Sequence, residues 1–137
     1  MRKLLTILFI VSVAAVQAKE PIPASKGNVT ITVKWSFKNI VEGYDHDTKT
    51  ELYVDGKLMA TSTVTKESQP NSVSAVVPKG QHKIKVVNYA YYDGVWEEHT
   101  IENTYSIDCL YEADINCRKK NNKVTLVFDI DAGTSVK

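Results

Sequence analysis

From Val29 to Ile130 apolar residues recur mostly at every second position, and nowhere do they hold the three-to-four spacing of an amphipathic helix. That period matches the pleat of a strand, in which successive side chains leave on opposite faces. Val29, Ile31, Val33, Trp35 and Phe37 alternate with Thr30, Thr32, Lys34, Ser36 and Lys38. The pattern predicts a half-buried strand with Trp35 on its core face. A chain built this way must cover one face of each strand with another sheet, which makes it all-β.

The turns set the order of the strands. Asp55-Gly56 and Asp93-Gly94 each supply the two positive-φ positions of a tight hairpin turn. The first joins Glu51 to Val54 with Lys57 to Val64, and the second joins Gln81 to Tyr92 with Val95 to Asp108. Val73 to Val77 is a short strand ended by Pro78, and Lys123 to Ile130 is the last. The polar run Lys66 to Ser72, with Gln69-Pro70-Asn71, reads as a surface loop. About seven short strands separated by turns predict a single antiparallel immunoglobulin-like β-sandwich over residues 28–131.

The first 18 residues have a different character. Arg2 and Lys3 precede a predominantly apolar run from Leu4 to Val16, and Ala18 ends the segment. This is the grammar of a secretory leader, and the run falls short of the roughly 20 residues of a membrane span. The expected product is a periplasmic or secreted protein with no membrane span, beginning at Lys19, with flexible segments at 19–27 and 132–137. Arg2 and Lys3 belong to the leader, so of 17 basic and 16 acidic residues 15 and 16 remain beyond it. A near-neutral balance without a basic block gives nucleic acid no electrostatic footing, so no nucleic-acid partner is expected.

An oxidising compartment favours pairing the two cysteines, Cys109 and Cys117. The expected disulfide closes a nine-residue loop, for which chain entropy gives roughly 2.6 kcal/mol, and would staple a turn.

If Asp93-Gly94 forms a two-residue turn, Tyr92 stands opposite Val95 and Tyr91 opposite Trp96. Continued along the arms, that register sets Lys85 across from Glu102 as an exposed ion pair. Near the turn the faces invert: Val87, Tyr89, Tyr91 and Trp96 fall on the solvent face, while Asn88, Glu97 and His99 fall on the core face. Either a β-bulge after Val87 swaps the faces, or the hairpin projects beyond the sandwich and displays its aromatics to a partner. In the second case Tyr89, Tyr91, Tyr92 and Trp96 form the contact patch for a protein or a glycan.

Leu52-Tyr53-Val54-Asp55-Gly56-Lys57, followed by Val76-Val77-Pro78-Lys79-Gly80-Gln81-His82-Lys83-Ile84-Lys85-Val86, resembles the small bacterial immunoglobulin-like modules, including the PEGA-type surface modules. The likeness covers about 35 residues and departs from the pattern at Thr61-Ser62-Thr63, where those modules carry a Thr-Pro step. It implies architecture and a non-enzymatic interaction role, and it carries no site residue.

Other constellations are sparse. Asp45-His46-Asp47 with Glu51 is the densest group of potential ligands, and Asp129 and Asp131 could join it. An irregular Ca²⁺ site using Asp45, Asp47 and Glu51 is one alternative, although Thr50 and Gly56 stand where an EF-hand requires glycine and glutamate. His46, His82 and His99 have no close zinc-ligand spacing. No serine sits in a nucleophile motif, and Glu97 and Glu98 point to opposite faces, so no catalytic residue is nominated; a small exported hydrolase is the remaining alternative. Asn28-Val29-Thr30 forms a glycosylation sequon, which matters only in a eukaryotic source.

Overall fold

A computed structural model of the chain describes residues 27–137; the expected leader and nearly all of the segment 19–27 lie outside the described residues. Ten strands follow in order: β1 (Asn28–Lys38), β2 (Asp47–Val54), β3 (Lys57–Thr61), β4 (Thr65–Lys66), β5 (Asn71–Pro78), β6 (Gly80–Tyr92), β7 (Val95–Glu98), β8 (Leu110–Cys117), β9 (Asn121–Asp129) and β10 (Gly133–Val136). A single 3-10 turn, Ile101–Asn103, interrupts them between β7 and β8. Among the described residues no helix is long and apolar enough to cross a membrane.

The strands form two sheets. One has the order β10-β9-β1-β5; the other is built on β3-β2-β6-β7, with β4 also pairing β2 and β8 also pairing β6. The all-β sandwich expected from the alternation is the observed class, with ten strands in place of about seven. One pairing is not antiparallel: β1 runs parallel to β9, with Val33 opposite Val124 and Phe37 opposite Phe128. Strand periodicity encodes which face is apolar and not which strand lies alongside, so this pairing left no local trace.

The core is where the alternation placed it. Ile31, Val33 and Trp35 of β1 meet Leu126 and Phe128 of β9 and the facing residues Leu52, Ile84 and Val86 of the other sheet, all essentially inaccessible. Both Asp-Gly hairpins form as expected, with Asp55 and Gly56 at φ 51° and 81° and Asp93 and Gly94 at 50° and 83°. These pairs of positive φ values belong to turns whose twist matches that of the flanking strands.

The second hairpin keeps its predicted register, Tyr92 against Val95 and Tyr91 against Trp96, and then stops at Glu98. β6 changes partner at Asn88. Beyond it β8 takes over, pairing Val87 with Leu110 through Gly80 with Cys117. At the junction the Asn88 N–H donates to the Cys109 carbonyl, the His99 N–H to the Asn88 carbonyl and the Cys109 N–H to the His99 carbonyl. The excursion between β7 and β8 is held by the Asn103 amide on the Glu98 carbonyl and by the Asp108 carboxylate on the Ile101 N–H. The long arm Val95 to Asp108 is thus two separate elements, and the expected Lys85–Glu102 pair does not form. Lys85 faces Glu112 instead, 3.9 Å away.

The disulfide expectation is overturned by the same strand. Cys109 and Cys117 are buried free thiols at the two ends of β8. Eight residues of extended chain span about 26 Å, against the roughly 4.4–6.8 Å between α-carbons that a disulfide tolerates. Burial pushes both thiols above their ordinary pKa, so the thiolate is scarce as well as inaccessible. The native protein is therefore expected to resist a thiol-specific chromogenic reagent. On denaturation without reductant it should release both thiols per chain, and none released would restore the disulfide.

The segment 132–137, expected to be a flexible tail, contains β10, which pairs with β9 through Thr134 and Phe128. Thr134 Oγ1 also donates to the Asp108 carbonyl at 2.6 Å.

Candidate functional site

The β6–β7 hairpin has two faces, and the strand pairing excludes the bulge as the cause of its inverted polarity. β2 and β6 pair without a shift from Asp47–Tyr91 to Val54–Ile84, so no bulge follows Val87. A register shift does occur, but between β2 and β3 at Leu52 and Tyr53. Ile84, Val86, Asn88 and Ala90 all point inward and are buried, while Tyr89 and Tyr91 point outward. The hairpin continues past the apolar core.

On the outer face, cross-strand rows place Lys49 beside Tyr89 and Glu98, and Asp47 beside Tyr91 and Trp96. Tyr91 and Trp96 contact each other with ring centroids 5.2 Å apart and planes tilted by 56°. The Lys49 ammonium sits 4.6 Å from the Trp96 ring centre and 5.8 Å from that of Tyr89, within cation–π range. Glu51 accepts a 2.5 Å hydrogen bond from the Tyr53 hydroxyl. Burial and then the Glu51 charge drive the Tyr89 phenol far above its ordinary pKa, so it is a neutral donor throughout the accessible pH range. Tyr91 and the turn residues Tyr92 and Val95 are exposed. Three of the four expected contact residues, Tyr89, Tyr91 and Trp96, share this face. Tyr92 does not: as an even position of β6 it faces the other way.

The inner face of the same hairpin is polar because it lies beyond the core. Asn88, fully buried, donates from its amide to Thr48 Oγ1 at 2.6 Å and Thr50 Oγ1 at 3.0 Å, and the Thr48 hydroxyl in turn donates to the Tyr89 carbonyl. Nearer the turn a cleft of about 250 Å³ opens between the β1–β2 loop, the hairpin and the segment after the 3-10 turn. Glu67, expected on a surface loop, is instead buried at 2 % exposure in this cleft. Its N–H is tied to the His46 carbonyl, which fixes the backbone just beyond β4.

Glu67 Oε1 stands 3.1 Å from His99 Nδ1 and 3.5 Å from His46 Nδ1. All three atoms are buried, at ion-pair distance from one another but without a hydrogen bond of good geometry between them. A buried carboxylate facing two imidazoles marks the cleft. Tyrosines surround it. His99 packs on Tyr105 at 4.2 Å between ring centres, and His46 meets Tyr92 and Tyr105 edge-on at 5.6 Å and 5.9 Å. The Tyr105 hydroxyl donates to Glu97 at 2.9 Å. Burial, then that bond, raise its pKa well above the ordinary phenol range.

The residues read as a possible Ca²⁺ site are not brought together. Asp45 accepts from the Ser68 hydroxyl and N–H, and the Ser68 hydroxyl holds its pKa below the usual carboxylate value. Asp47 pairs with Lys66 at 2.9 Å, Glu51 is taken by Tyr53, and Asp129 accepts from Asn39 and from the Asp131 N–H. Among the described residues, no group of three or more His, Cys, Asp or Glu side chains is arranged to hold a metal ion.

His82 belongs to neither face. Its Nδ1 lies 2.7 Å from Asp55 and its Nε2 2.6 Å from the Pro78 carbonyl. Burial lowers its pKa, but the Asp55 and Pro78 contacts outweigh that and the net shift is upward. The His82 hydrogen bond, with the Lys83 N–H, lowers the pKa of Asp55. A raised imidazole stabilises the fold below its unfolded pKa, and a depressed carboxylate does so above its own. The stability difference between wild type and Asp55→Asn should therefore be largest between about pH 4 and 6.5. Chemical denaturation across pH should show it shrinking on both sides of that window; a difference independent of pH would remove the pair.

Of these features the sequence exposed the outward aromatics, the hairpin register and the inward polarity of Asn88, Glu97 and His99. It missed Glu67 and the junction of His46 with His99. Comparison with protein-family models and with curated proteins finds no match to this chain.

Proposed function

We propose that the chain is an exported, non-enzymatic binding domain that recognises a protein partner through the outer face of the β6–β7 hairpin. The observation that carries this reading is the unbulged extension of the hairpin beyond the core, which keeps Tyr89, Tyr91 and Trp96 on the outward side. The three-stranded end of the sheet, β2-β6-β7, pre-orders these rings, and the Lys49 ammonium holds Trp96 in place, so little side-chain freedom remains to be lost on association.

A protein partner is favoured over a glycan by the surroundings of the patch. Lys49 already occupies one side of the Trp96 ring, where a sugar would stack. The patch itself presents the exposed Tyr91 and the half-buried Tyr89 and Trp96. Such side chains contribute contact area to a protein interface. The residues of the leader support export, and the likeness of 52–57 and 76–86 to bacterial immunoglobulin-like modules agrees with an interaction role.

Immobilised domain exposed separately to the proteins and to the polysaccharides of the native extracytoplasmic fraction tests the partner class. Saturable retention of a protein, lost on substituting the hairpin aromatics, is expected. Retention of polysaccharide alone would replace the protein reading with the glycan one.

A further inference from the structure

We infer that the free edge of β8 is a second interaction surface, which takes up an extended segment of a partner polypeptide as an added antiparallel strand with lysine or arginine at every second position. The inference is independent of the outer aromatics, since Tyr89, Tyr91 and Trp96 lie beyond the point where β8 leaves β6.

The backbone comes first. Among the described residues β8 pairs with β6 alone, over eight residues and without a register shift. In an antiparallel ladder successive residues alternate between bonding one neighbour and facing the other side. The Asn88 N–H donates to the Cys109 carbonyl, and this bond sets the phase. Tyr111, Ala113, Ile115 and Cys117 bond to β6, while Leu110, Glu112, Asp114 and Asn116 turn their N–H and C=O groups outward. Of these outward groups only the Asn116 carbonyl has a hydrogen-bond partner among the described residues, the Arg118 N–H. β8 has no proline, no lysine and no bulge, the devices that commonly blunt an edge. Such a row of donors and acceptors is the template on which an added strand is held by main-chain hydrogen bonds.

The side chains set the kind of strand that fits. On the outer face Glu112 and Asp114 stand exposed at the edge, with Lys85 and Lys83 across from them on β6. An added strand places its own residues directly opposite those two acids, where an opposite charge is favourable and a like charge is not. Basic residues two apart therefore carry the alternation of charge from β6 through β8 to the partner. On the inner side Tyr111, Ala113 and Ile115 are only partly buried against the core, so apolar residues fit between the basic ones. The same acids act against a second copy of the chain. Two β8 strands paired antiparallel about residue 112, 113 or 114 set acid against acid.

The test is titration of the isotope-labelled protein with the peptide acetyl-Thr-Val-Lys-Val-Lys-Val-Thr-amide and with its counterpart carrying glutamate in place of lysine, followed by amide shifts and hydrogen exchange. Saturable shifts and new exchange protection at the Leu110, Glu112 and Asp114 amides are expected for the lysine peptide, with the glutamate peptide at least about tenfold weaker. Asp114→Pro removes one outward N–H and no bond to β6, so it should weaken the lysine peptide at least about tenfold while melting moves by only a few degrees. Should that variant fail to fold, Glu112→Lys/Asp114→Lys keeps the backbone and should reverse the preference toward the glutamate peptide. Tyr91→Ala/Trp96→Ala should leave the affinity unchanged, which separates this surface from the outer patch. No saturable response to the lysine peptide, equal binding of the glutamate peptide, or shifts confined to another edge would overturn the inference. So would an affinity indifferent to both β8 variants, or protection of the three amides before any peptide is added. A dimer of the chain that Asp114→Pro dissociates would assign the edge to a second copy and overturn the basic partner strand.

Discussion

Phe128→Ala is expected to lower the stability of the domain by about 3–5 kcal/mol, a large part of the roughly 5–15 kcal/mol that keeps a domain of this size folded. Phe128 is fully buried in β9, packs on Phe37 with ring centres 5.1 Å apart, and belongs to the cluster that joins the two sheets. Its neighbour across the ladder is Phe37 of β1, so the cavity would open beside the parallel pairing. Surrounding strands held by ladders on both sides cannot collapse to fill it. A melting temperature lower by about 10–20 °C is the corresponding thermal result. Loss of less than about 1 kcal/mol would mean that β9 does not cover this part of the core.

Tyr91→Ala/Trp96→Ala should behave in the opposite way. Tyr91 is exposed, Trp96 half-buried, and their principal contacts are with each other and with Lys49. A cross-strand aromatic pair of this kind contributes about 0.2–1 kcal/mol to a sheet. Melting should therefore move by only a few degrees. Partner affinity should fall at least about 30-fold, because buried aromatic anchors in an interface commonly cost 2 kcal/mol or more when truncated. A stability loss like that of Phe128→Ala would assign the pair to the core and remove it from the interface.

The residues differ in how openly they declare these roles. Alternation made Val29, Ile31, Val33 and Trp35 legible as a core face, since a half-buried strand imposes its period directly on the sequence. The two Asp-Gly turns fixed their hairpins because few other dipeptides adopt two positive φ values. Asn88, Glu97 and His99 announced that something other than apolar packing lies inside the second hairpin. β8 also carried a signal, Tyr111, Ala113 and Ile115 alternating with Glu112, Asp114 and Asn116. It was obscured by reading its flanking cysteines as a staple.

The rest is non-local. Nothing near Glu67 distinguishes it from a solvated glutamate; its burial accompanies the docking on β2 of β4, the two-residue strand just before it. The parallel pairing of β1 with β9 joins segments some 90 residues apart. The meeting of His46 with His99 depends on β6 changing partner at Asn88, a property of the ladder and not of any segment within it.

The most direct test of the central claim is capture of partners, from the extracytoplasmic fraction in which the proposal places the protein, by the wild-type protein and by Tyr91→Ala/Trp96→Ala, compared at matched folded concentration. The account predicts a protein retained by wild type and lost from the variant, with the hairpin 87–98 protected from hydrogen exchange in the complex. Equal capture by both proteins, with protection elsewhere, would contradict it.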